Sequence, residues 1–302
     1  MNIWIAGARP KTLPVAISPV LIASTIVWYG GGLDLVIAIA CALIALLFQI
    51  GVNYANDYSD GIRGTDDARH TTGGPVRLVG QGLAAPAKVR LAAWLCFGLA
   101  CVIGLAVVVT TDHVFLLYLG AACVPAAWFY TGGGKPYGYI GLGELSVFIF
   151  FGLVAVLGTA LAQTGQLTLP LWLAASGQGA IASAVLVANN LRDIPTDRDA
   201  GKQTLAVRMG DRATRVLYIA LDLGGAIATA AALYLITNNW LQTLGFVFVC
   251  AFIAWGSITK VRKGATGRDL VSVLAFTGKY MLFTSALASA CLIAVKVAIH
   301  AR

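Results

Sequence analysis

The chain has 302 residues, of which 59% are hydrophobic and 11% charged, at a mean hydropathy of +0.82. A soluble domain of this length does not carry so much apolar surface, so the composition excludes a globular water-soluble protein and indicates an integral membrane protein embedded in the lipid bilayer. The formal charge of +8 does not indicate nucleic acid, because the basic residues are distributed among the connections between apolar runs. Six cysteines (Cys41, Cys96, Cys101, Cys123, Cys250 and Cys291) fall inside apolar runs without C-x-x-C spacing, so neither a disulfide framework nor a zinc site is indicated.

With about 20 apolar residues per crossing, nine membrane helices are predicted: 13–29, 35–54, 89–110, 114–130, 145–162, 171–188, 216–236, 241–259 and 276–299. The first run follows Arg9 and Lys11 and is not followed by a small-residue cleavage site, so it is expected to stay in place. Short connections with few charges (30–34, 111–113, 163–170 and 237–240) alternate with longer ones rich in Lys, Arg, Asp and Gly. Nineteen of the 21 Lys and Arg residues lie at the amino terminus or in the even-numbered connections. By the positive-inside rule those segments are cytoplasmic, and the carboxyl terminus is outside. The expected fold is therefore an all-α polytopic membrane protein, a single domain of nine transmembrane helices around a central cavity capped by cytoplasmic loops. The repeated Asn-x-x-x-Asp at 53–57 and 189–193 suggests internal halves, 13–130 and 145–259, with 276–299 as an added ninth helix.

Two polar clusters stand at the ends of apolar runs. The first is Asn53, Asn56, Asp57 and Asp60; the second is Asn189, Asn190, Asp193 and Asp197. Carboxylates at the edge of a hydrocarbon layer need compensating partners and mark functional sites. Spacings of three and four residues put Asn53, Asp57 and Asp60 on one helical stripe and Asn189, Asp193 and Asp197 on another. Rows of hard oxygens without His or Cys favour Mg²⁺, which combines a few carboxylates with water and substrate phosphate oxygens. A lipid diphosphate suits such a site, since its head needs the metal and its tail can lie among apolar helices. Arg77 and Lys202, each near flexible glycine, are candidates to hold the diphosphate oxygens and to stabilise them as the C–O bond breaks. Arg192, Arg198 and Arg208 fit either that task or anchoring at the membrane surface. The loops 73–82 and 199–210 are candidate lids.

The stretches 53–66 with Gly74-Pro75-Val76-Arg77-Leu78-Val79, and Asn189-Asn190-Leu-Arg-Asp193-Ile-Pro-Thr-Asp197 continuing to Gly210, resemble the paired Asp-rich motifs of the UbiA-type intramembrane aromatic prenyltransferases. Arg9-Pro10-Lys11-Thr12-Leu13-Pro14, Tyr130 to Gly138 and Gly141-Leu142-Gly143-Glu144 are similar to the menaquinone-pathway branch of that family, the 1,4-dihydroxy-2-naphthoate polyprenyltransferases. The resemblance covers nearly the whole chain. It implies Mg²⁺-dependent ionisation of a polyprenyl diphosphate in a bacterial plasma membrane. Capture of the allylic cation by 1,4-dihydroxy-2-naphthoate, with loss of carbon dioxide and diphosphate, would then give demethylmenaquinone. Carried over by position, Asp57, Asp60, Asp193 and Asp197 would form the metal shell, with the four Asn residues as ligands or supporting partners. Asp66 matches the last acid of the first motif, but six positions separate it from Asp60 where other branches often have four.

The acceptor carboxylate would need a cation, for which Arg9 and Lys11 are candidates beside simple anchoring. Lys135 and Tyr137 are candidates for the acceptor side. Tyr54, Tyr58, Trp94, Trp128, Phe129 and Tyr130 either shield an allylic cation or form an interfacial belt. A secondary transporter would also carry intramembrane polar clusters, but with acids near the midplane of broken helices. Prenylation of another acceptor, such as 4-hydroxybenzoate, would retain the fold.

Overall fold

The computed structural model describes residues 2–64 and 76–301, and the described residues are helical with short connections and no strand. A short helix α1 (Ile3–Gly7) is capped by Asn2, whose Oδ1 accepts the Trp4 N–H at 2.9 Å. Arg9 then turns the chain through a left-handed backbone (φ 53°) into a 3₁₀ turn, Pro10–Thr12, that leads into α2 (Leu13–Tyr29). Helix α3 (Leu35–Ile62) starts at Asp34, whose carboxylate caps the Val36 and Ile37 amides at 2.9 and 3.0 Å. Proline at the first position opens α4 (Pro86–Thr111), where its missing N–H costs no hydrogen bond. Helix α5 (Phe115–Phe129) is short and has no fully buried residue.

The next crossing is composite: α6 (Gly143–Val147), a π-helical turn (Phe148–Val154) and α7 (Ala155–Thr164). It is followed by α8 (Leu169–Asp199), α9 (Leu205–Thr237), α10 (Trp240–Arg262) and α11 (Gly267–His300). Among the described residues, eight helical segments are long and apolar enough to cross a membrane, and α5 is a shorter ninth apolar helix. The predicted order and number of helices therefore hold, and the protein is a multi-pass membrane protein.

Several helices run past their predicted ends. Helix α3 continues through Asp57 and Asp60, and α8 through Asp193 and Asp197. Hydropathy falls where the polar residues begin, whereas the backbone hydrogen-bond ladder continues because these side chains are buried inside the bundle. The connection 199–210 was expected as a loop, but it shrinks to the turn between α8 and α9. Gly210 (φ 77°) kinks α9 within its first turns.

Helix α8 is the centre of the bundle, with buried residues along most of its length. Because lipid tails are as apolar as the helices, close contact depends on small side chains rather than on a hydrophobic drive. A Cβ on Gly152 would lie 2.5 Å from the Gly179 Cα, so the π-helical turn approaches α8 only because both positions lack side chains. Polar contacts add to this packing. The Ser18 hydroxyl lies 2.8 Å from Gln178 Oε1, 2.6 Å from the Met281 carbonyl oxygen and 2.8 Å from the Ser285 hydroxyl, joining α2, α8 and α11. Gly152→Leu is expected to cost about 1–3 kcal/mol of stability by overpacking this contact, read as a lower melting temperature of the purified protein in detergent. An unchanged melting curve would contradict the assigned packing.

Candidate active site

Among the described residues the bundle surrounds a large cavity of about 650 Å³ that is partly open to its surroundings. Along α3 it is bordered from Cys41 to Asp60 by a stripe of residues that changes from apolar (Cys41, Ile44, Phe48) to polar (Gln49, Asn53, Asn56, Asp60). At 1.5 Å per residue that stripe is about 28 Å long. The cavity is therefore long, polar at the end where α3 and α8 finish, and apolar toward the other end.

Asp60 organises the polar end. Its carboxylate accepts a hydrogen bond from the Tyr139 hydroxyl and lies 3.3 Å from Lys202 Nζ and 3.6 Å from Arg77 Nη1. Asp60, Lys202 and Arg77 are only 4%, 4% and 8% exposed, so the charges offset one another in a low-dielectric setting that would not tolerate any of them alone. Lys202 Nζ also sits 4.2 Å from the centre of the Tyr139 ring. Its backbone N–H donates to the Asp197 carbonyl oxygen at 2.8 Å, and the tight turn through Gly201 (φ 73°) swings Lys202 back over the end of α8. The Gln203 N–H donates to the Tyr139 carbonyl oxygen at 2.8 Å, which fastens the two segments together. At the end of α3, Arg63 donates to the carbonyl oxygens of Thr131 and Gly133.

Asp57 and Asp193, expected to face a metal, do not line the cavity, and both are completely buried. The Asp57 carboxylate accepts the N–H groups of Leu78 (2.7 Å) and Val79 (2.9 Å). It thereby fixes the segment that delivers Arg77. The turn can approach α3 this closely because residue 61 is glycine, where a Cβ would lie 2.6 Å from the Val79 Cβ. Asp193 is held in a two-point contact by Arg192, Nε at 2.7 Å and Nη2 at 2.8 Å, and Arg192 also reaches Asn189 Oδ1 at 2.9 Å. Arg192 is thus a partner of the second cluster rather than a surface anchor.

Of the other predicted site residues, Asp197, Asn53, Asn56, Asn189, Asn190, Arg9 and Tyr137 line the cavity with Asp60, Arg77 and Lys202. Asn53 Nδ2 donates to the Ala8 carbonyl oxygen (2.9 Å) and to Thr12 Oγ1 (3.2 Å), so it positions the segment that carries Arg9. Asn56 Oδ1 accepts from the Thr131 hydroxyl at 2.8 Å. Asn190 Nδ2 donates to Glu144 Oε1 at 2.9 Å, which places Glu144 behind the second cluster. Tyr137 donates its hydroxyl to the Ala126 carbonyl oxygen at 2.6 Å. Burial pushes its phenol pKa up, against an opposing pull from the Ser146 hydroxyl.

Lys11 and Lys135 are exposed and line no part of the cavity. Lys11 lies on the outer side of the 3₁₀ turn whose Thr12 faces inward, and Lys135 follows the exposed glycines 133 and 134. Asp66 and the start of the first candidate lid, residues 73–75, lie outside the described residues. Of the six candidate aromatic residues only Tyr130 borders the cavity. Tyr58, Trp94 and Trp128 pack on one another, with Trp94 and Trp128 ring centres 4.7 Å apart. Tyr54 donates to the Trp4 carbonyl oxygen at 2.7 Å. The other aromatic residues on its walls are Phe48, Tyr137, Tyr139, Phe150 and Phe151, of which Tyr139 stands one residue past the motif that the sequence singled out.

Among the described residues no three His, Cys, Asp or Glu side chains converge as a ready-made metal cluster. The donors that border the polar end include the carboxylates of Asp60 and Asp197 and the amides of Asn53, Asn56, Asn189 and Asn190. A set composed only of hard oxygens, with room left for substrate oxygens, fits Mg²⁺ and not a softer metal.

A multi-pass bundle whose long cavity is cationic and oxygen-rich at one end and apolar along the rest defines an intramembrane enzyme acting on an anionic lipid. The family model described as the UbiA prenyltransferase family matches residues 16–277, and the chain belongs to that family. It is 46% identical over 286 residues to a 1,4-dihydroxy-2-naphthoate octaprenyltransferase of Mycobacterium tuberculosis, covering 92% of each chain. It is 37% identical over 254 residues to the protein of the same description from Escherichia coli, covering 82% of this chain and 80% of that one. Its fold is similar to the solved structure of a UbiA homolog from Archaeoglobus fulgidus bound to GPP and Mg²⁺, with a TM-score of 0.66 at 14% identity over 96% of this chain and 99% of that one.

Asp57→Ala is expected to release the Leu78 and Val79 amides. Loss of a charge-assisted buried acceptor is worth roughly 1.5–3 kcal/mol, so exchange at these two amides should accelerate about tenfold or more. Hydrogen–deuterium exchange read by mass spectrometry measures this, and unchanged protection of the segment 76–84 would contradict the positioning role.

Proposed function

We propose that the protein transfers a polyprenyl group from polyprenyl diphosphate to 1,4-dihydroxy-2-naphthoate, releasing diphosphate and carbon dioxide and giving demethylmenaquinol, the reduced form of demethylmenaquinone. The observation that carries this reading is the cavity itself. A buried Lys202–Asp60–Arg77 cluster closes one end of an otherwise apolar channel, a shape that suits a diphosphate with a long hydrocarbon tail. The identity to the 1,4-dihydroxy-2-naphthoate octaprenyltransferases supports the choice of acceptor.

In this reading Arg77 and Lys202 bind the diphosphate oxygens, and Tyr139 holds Asp60 so that both cations stay at the channel mouth. Asp60 and Asp197, with the oxygens of Asn56, Asn189 and Asn190, would hold Mg²⁺. When bound, Mg²⁺ supplies neutralisation of the charge that builds on the leaving diphosphate. Asp57 and Asp193 act as positioning carboxylates, through the Leu78–Val79 turn and through Arg192. As the C–O bond breaks, the apolar wall excludes water from the allylic cation. The naphthoate ring supplies the electron pair for the new C–C bond, and the carboxyl group leaves as carbon dioxide. Arg9, which Asn53 and Thr12 hold at the cavity edge, is assigned to the acceptor carboxylate in preference to the exposed Lys11. The polar end faces the cytoplasm by the distribution of basic residues, and the two Asn-x-x-x-Asp helices α3 and α8 are the equivalent members of two internal halves.

The test is purified protein incubated with Mg²⁺, a prenyl diphosphate and a panel of aromatic acids, with lipid products identified by mass spectrometry. Prenylated, decarboxylated naphthoquinol is expected with 1,4-dihydroxy-2-naphthoate. Product from 4-hydroxybenzoate alone would overturn the acceptor, and metal-independent turnover after chelation would overturn the Mg²⁺ assignment. Asp60→Asn and Asp197→Asn are each expected to lower kcat by about a hundredfold or more, the scale of losing one electrostatic stabiliser. Lys202→Ala should weaken use of the prenyl diphosphate more than of the acceptor. The reverse pattern would move Lys202 to the acceptor site.

A further inference from the structure

The asparagine side chains that border the polar end of the cavity, Asn53, Asn56, Asn189 and Asn190, are not equivalent. The Asn53 oxygen accepts from the Gln49 amide at 3.3 Å, the Asn56 oxygen from the Thr131 hydroxyl at 2.8 Å, and the Asn189 oxygen from the Arg192 guanidinium at 2.9 Å. Among the described residues the Asn190 oxygen accepts no hydrogen bond, nor is it shut away as an unpaired buried atom. It therefore opens on the cavity that Asn190 lines.

Glu144 accounts for that orientation. Its Oε1 accepts from Asn190 Nδ2 at 2.9 Å. A carboxylate accepts and does not donate, so the side-chain amide has to turn its NH₂ group toward Glu144 and its oxygen the other way. Glu144 is 6% exposed and does not border the cavity, which places it behind Asn190 as seen from the site. Packing of α6 on α8 holds the contact. Ser183 Oγ donates to the Glu144 carbonyl oxygen at 2.9 Å, and Ser183 and Asn190 stand about two turns apart on one face of α8. Residue 143 is glycine, where a Cβ would lie 3.2 Å from both Leu186 Cδ2 and the Tyr130 hydroxyl, so the start of α6 can press on that face.

The other oxygen of Glu144, Oε2, is buried with no hydrogen-bond partner among the described residues. A half-satisfied carboxylate in a low-dielectric interior is costly, and packing alone would be served better by an apolar side chain. We infer that Glu144 is a positioning residue that fixes Asn190 with its carbonyl oxygen toward the cavity, and so makes Asn190 the amide ligand of the Mg²⁺ used in the proposed reaction. The inference rests on the prenyl-transfer reading and adds to it which amide donates and what holds that amide in place.

The test is metal binding, read apart from turnover. Purified wild type, Glu144→Met, Glu144→Gln, Asn190→Leu and the double variant Glu144→Met with Asn190→Leu are titrated with Mn²⁺ in the presence of an unreactive prenyl thiodiphosphate. Free Mn²⁺ is followed by its electron paramagnetic resonance signal. Ser183→Ala is the control, because it removes the other tie between α6 and α8 and leaves the amide contact in place. Glu144→Met is expected to weaken Mn²⁺ binding about tenfold or more, the size of losing a partner that orients a metal ligand. Glu144→Gln keeps an oxygen that can accept from Asn190 and is expected to recover much of the affinity. In the Asn190→Leu background Glu144→Met should add nothing, since Glu144 acts through that amide. Ser183→Ala should bind as the wild type does. Wild-type affinity in folded Glu144→Met, no recovery in Glu144→Gln, an additive loss in the double variant, or an equal fall in Ser183→Ala overturns the inference while prenyl transfer stands. If Glu144→Met does not fold, Asn190→Leu decides: a loss of about tenfold or more supports the assignment, and wild-type affinity overturns it. Absence of Mn²⁺ binding by the wild type strikes the metal assignment of the functional reading, and the inference with it.

Discussion

The site depends on burying two cations and a carboxylate together where water is scarce. Lys202, Arg77 and Asp60 come from three separate stretches of chain, and each charge would be costly at that depth without the others. Asp60 therefore fastens the α8–α9 turn and the segment after residue 75 to the end of α3 before any substrate arrives. A diphosphate entering the cavity meets cations already gathered, so less of its binding free energy is lost in ordering them.

Around that cluster, a second set of side chains fixes the segments that carry the working groups. Asp57 holds the backbone beside Arg77, Asn53 holds the segment that carries Arg9, Tyr139 links Asp60 to Lys202, and Asn190 connects the second cluster to Glu144. Several of the polar residues in the two Asp-rich stretches thus serve geometry. This division follows from the low dielectric, which makes an unsatisfied carboxylate expensive and a fully satisfied one an effective clamp. The apolar remainder of the cavity has the opposite character, being lined by side chains such as Ile44, Phe48, Leu116 and Phe151.

The helix order, the polarity of the two ends and the pairing of the Asp-rich stretches were legible in the sequence, because hydropathy and spacing record which residues share a helix and a face. Partners across the bundle were not. Nothing in the spacing of Asp57 distinguishes a carboxylate facing a cavity from one accepting the amides of Leu78 and Val79. Lys11 and Lys135 occupy motif-like positions yet point outward, since a 3₁₀ turn and a glycine-rich tip orient side chains in ways that periodicity does not encode. Tyr139 was missed because it stands beyond the motif, although an aromatic residue directly after a Gly in a loop between two membrane helices was an available hint. The ends of α3 and α8 extended past their hydropathic limits for one reason: their polar turns are covered by protein and not by lipid.

The central claim is that the buried cations and the oxygen donors at the end of α3 and α8 hold one diphosphate by its two sides. It is tested most directly by an experimental structure of the protein with an unreactive prenyl thiodiphosphate and Mn²⁺ in place of Mg²⁺, located by its anomalous scattering. The account predicts manganese within coordination distance of Asp60 and Asp197, diphosphate oxygens against Lys202 and Arg77, and the tail running past Phe48 toward Gly104. Manganese elsewhere, or a diphosphate bound away from Lys202, would contradict it.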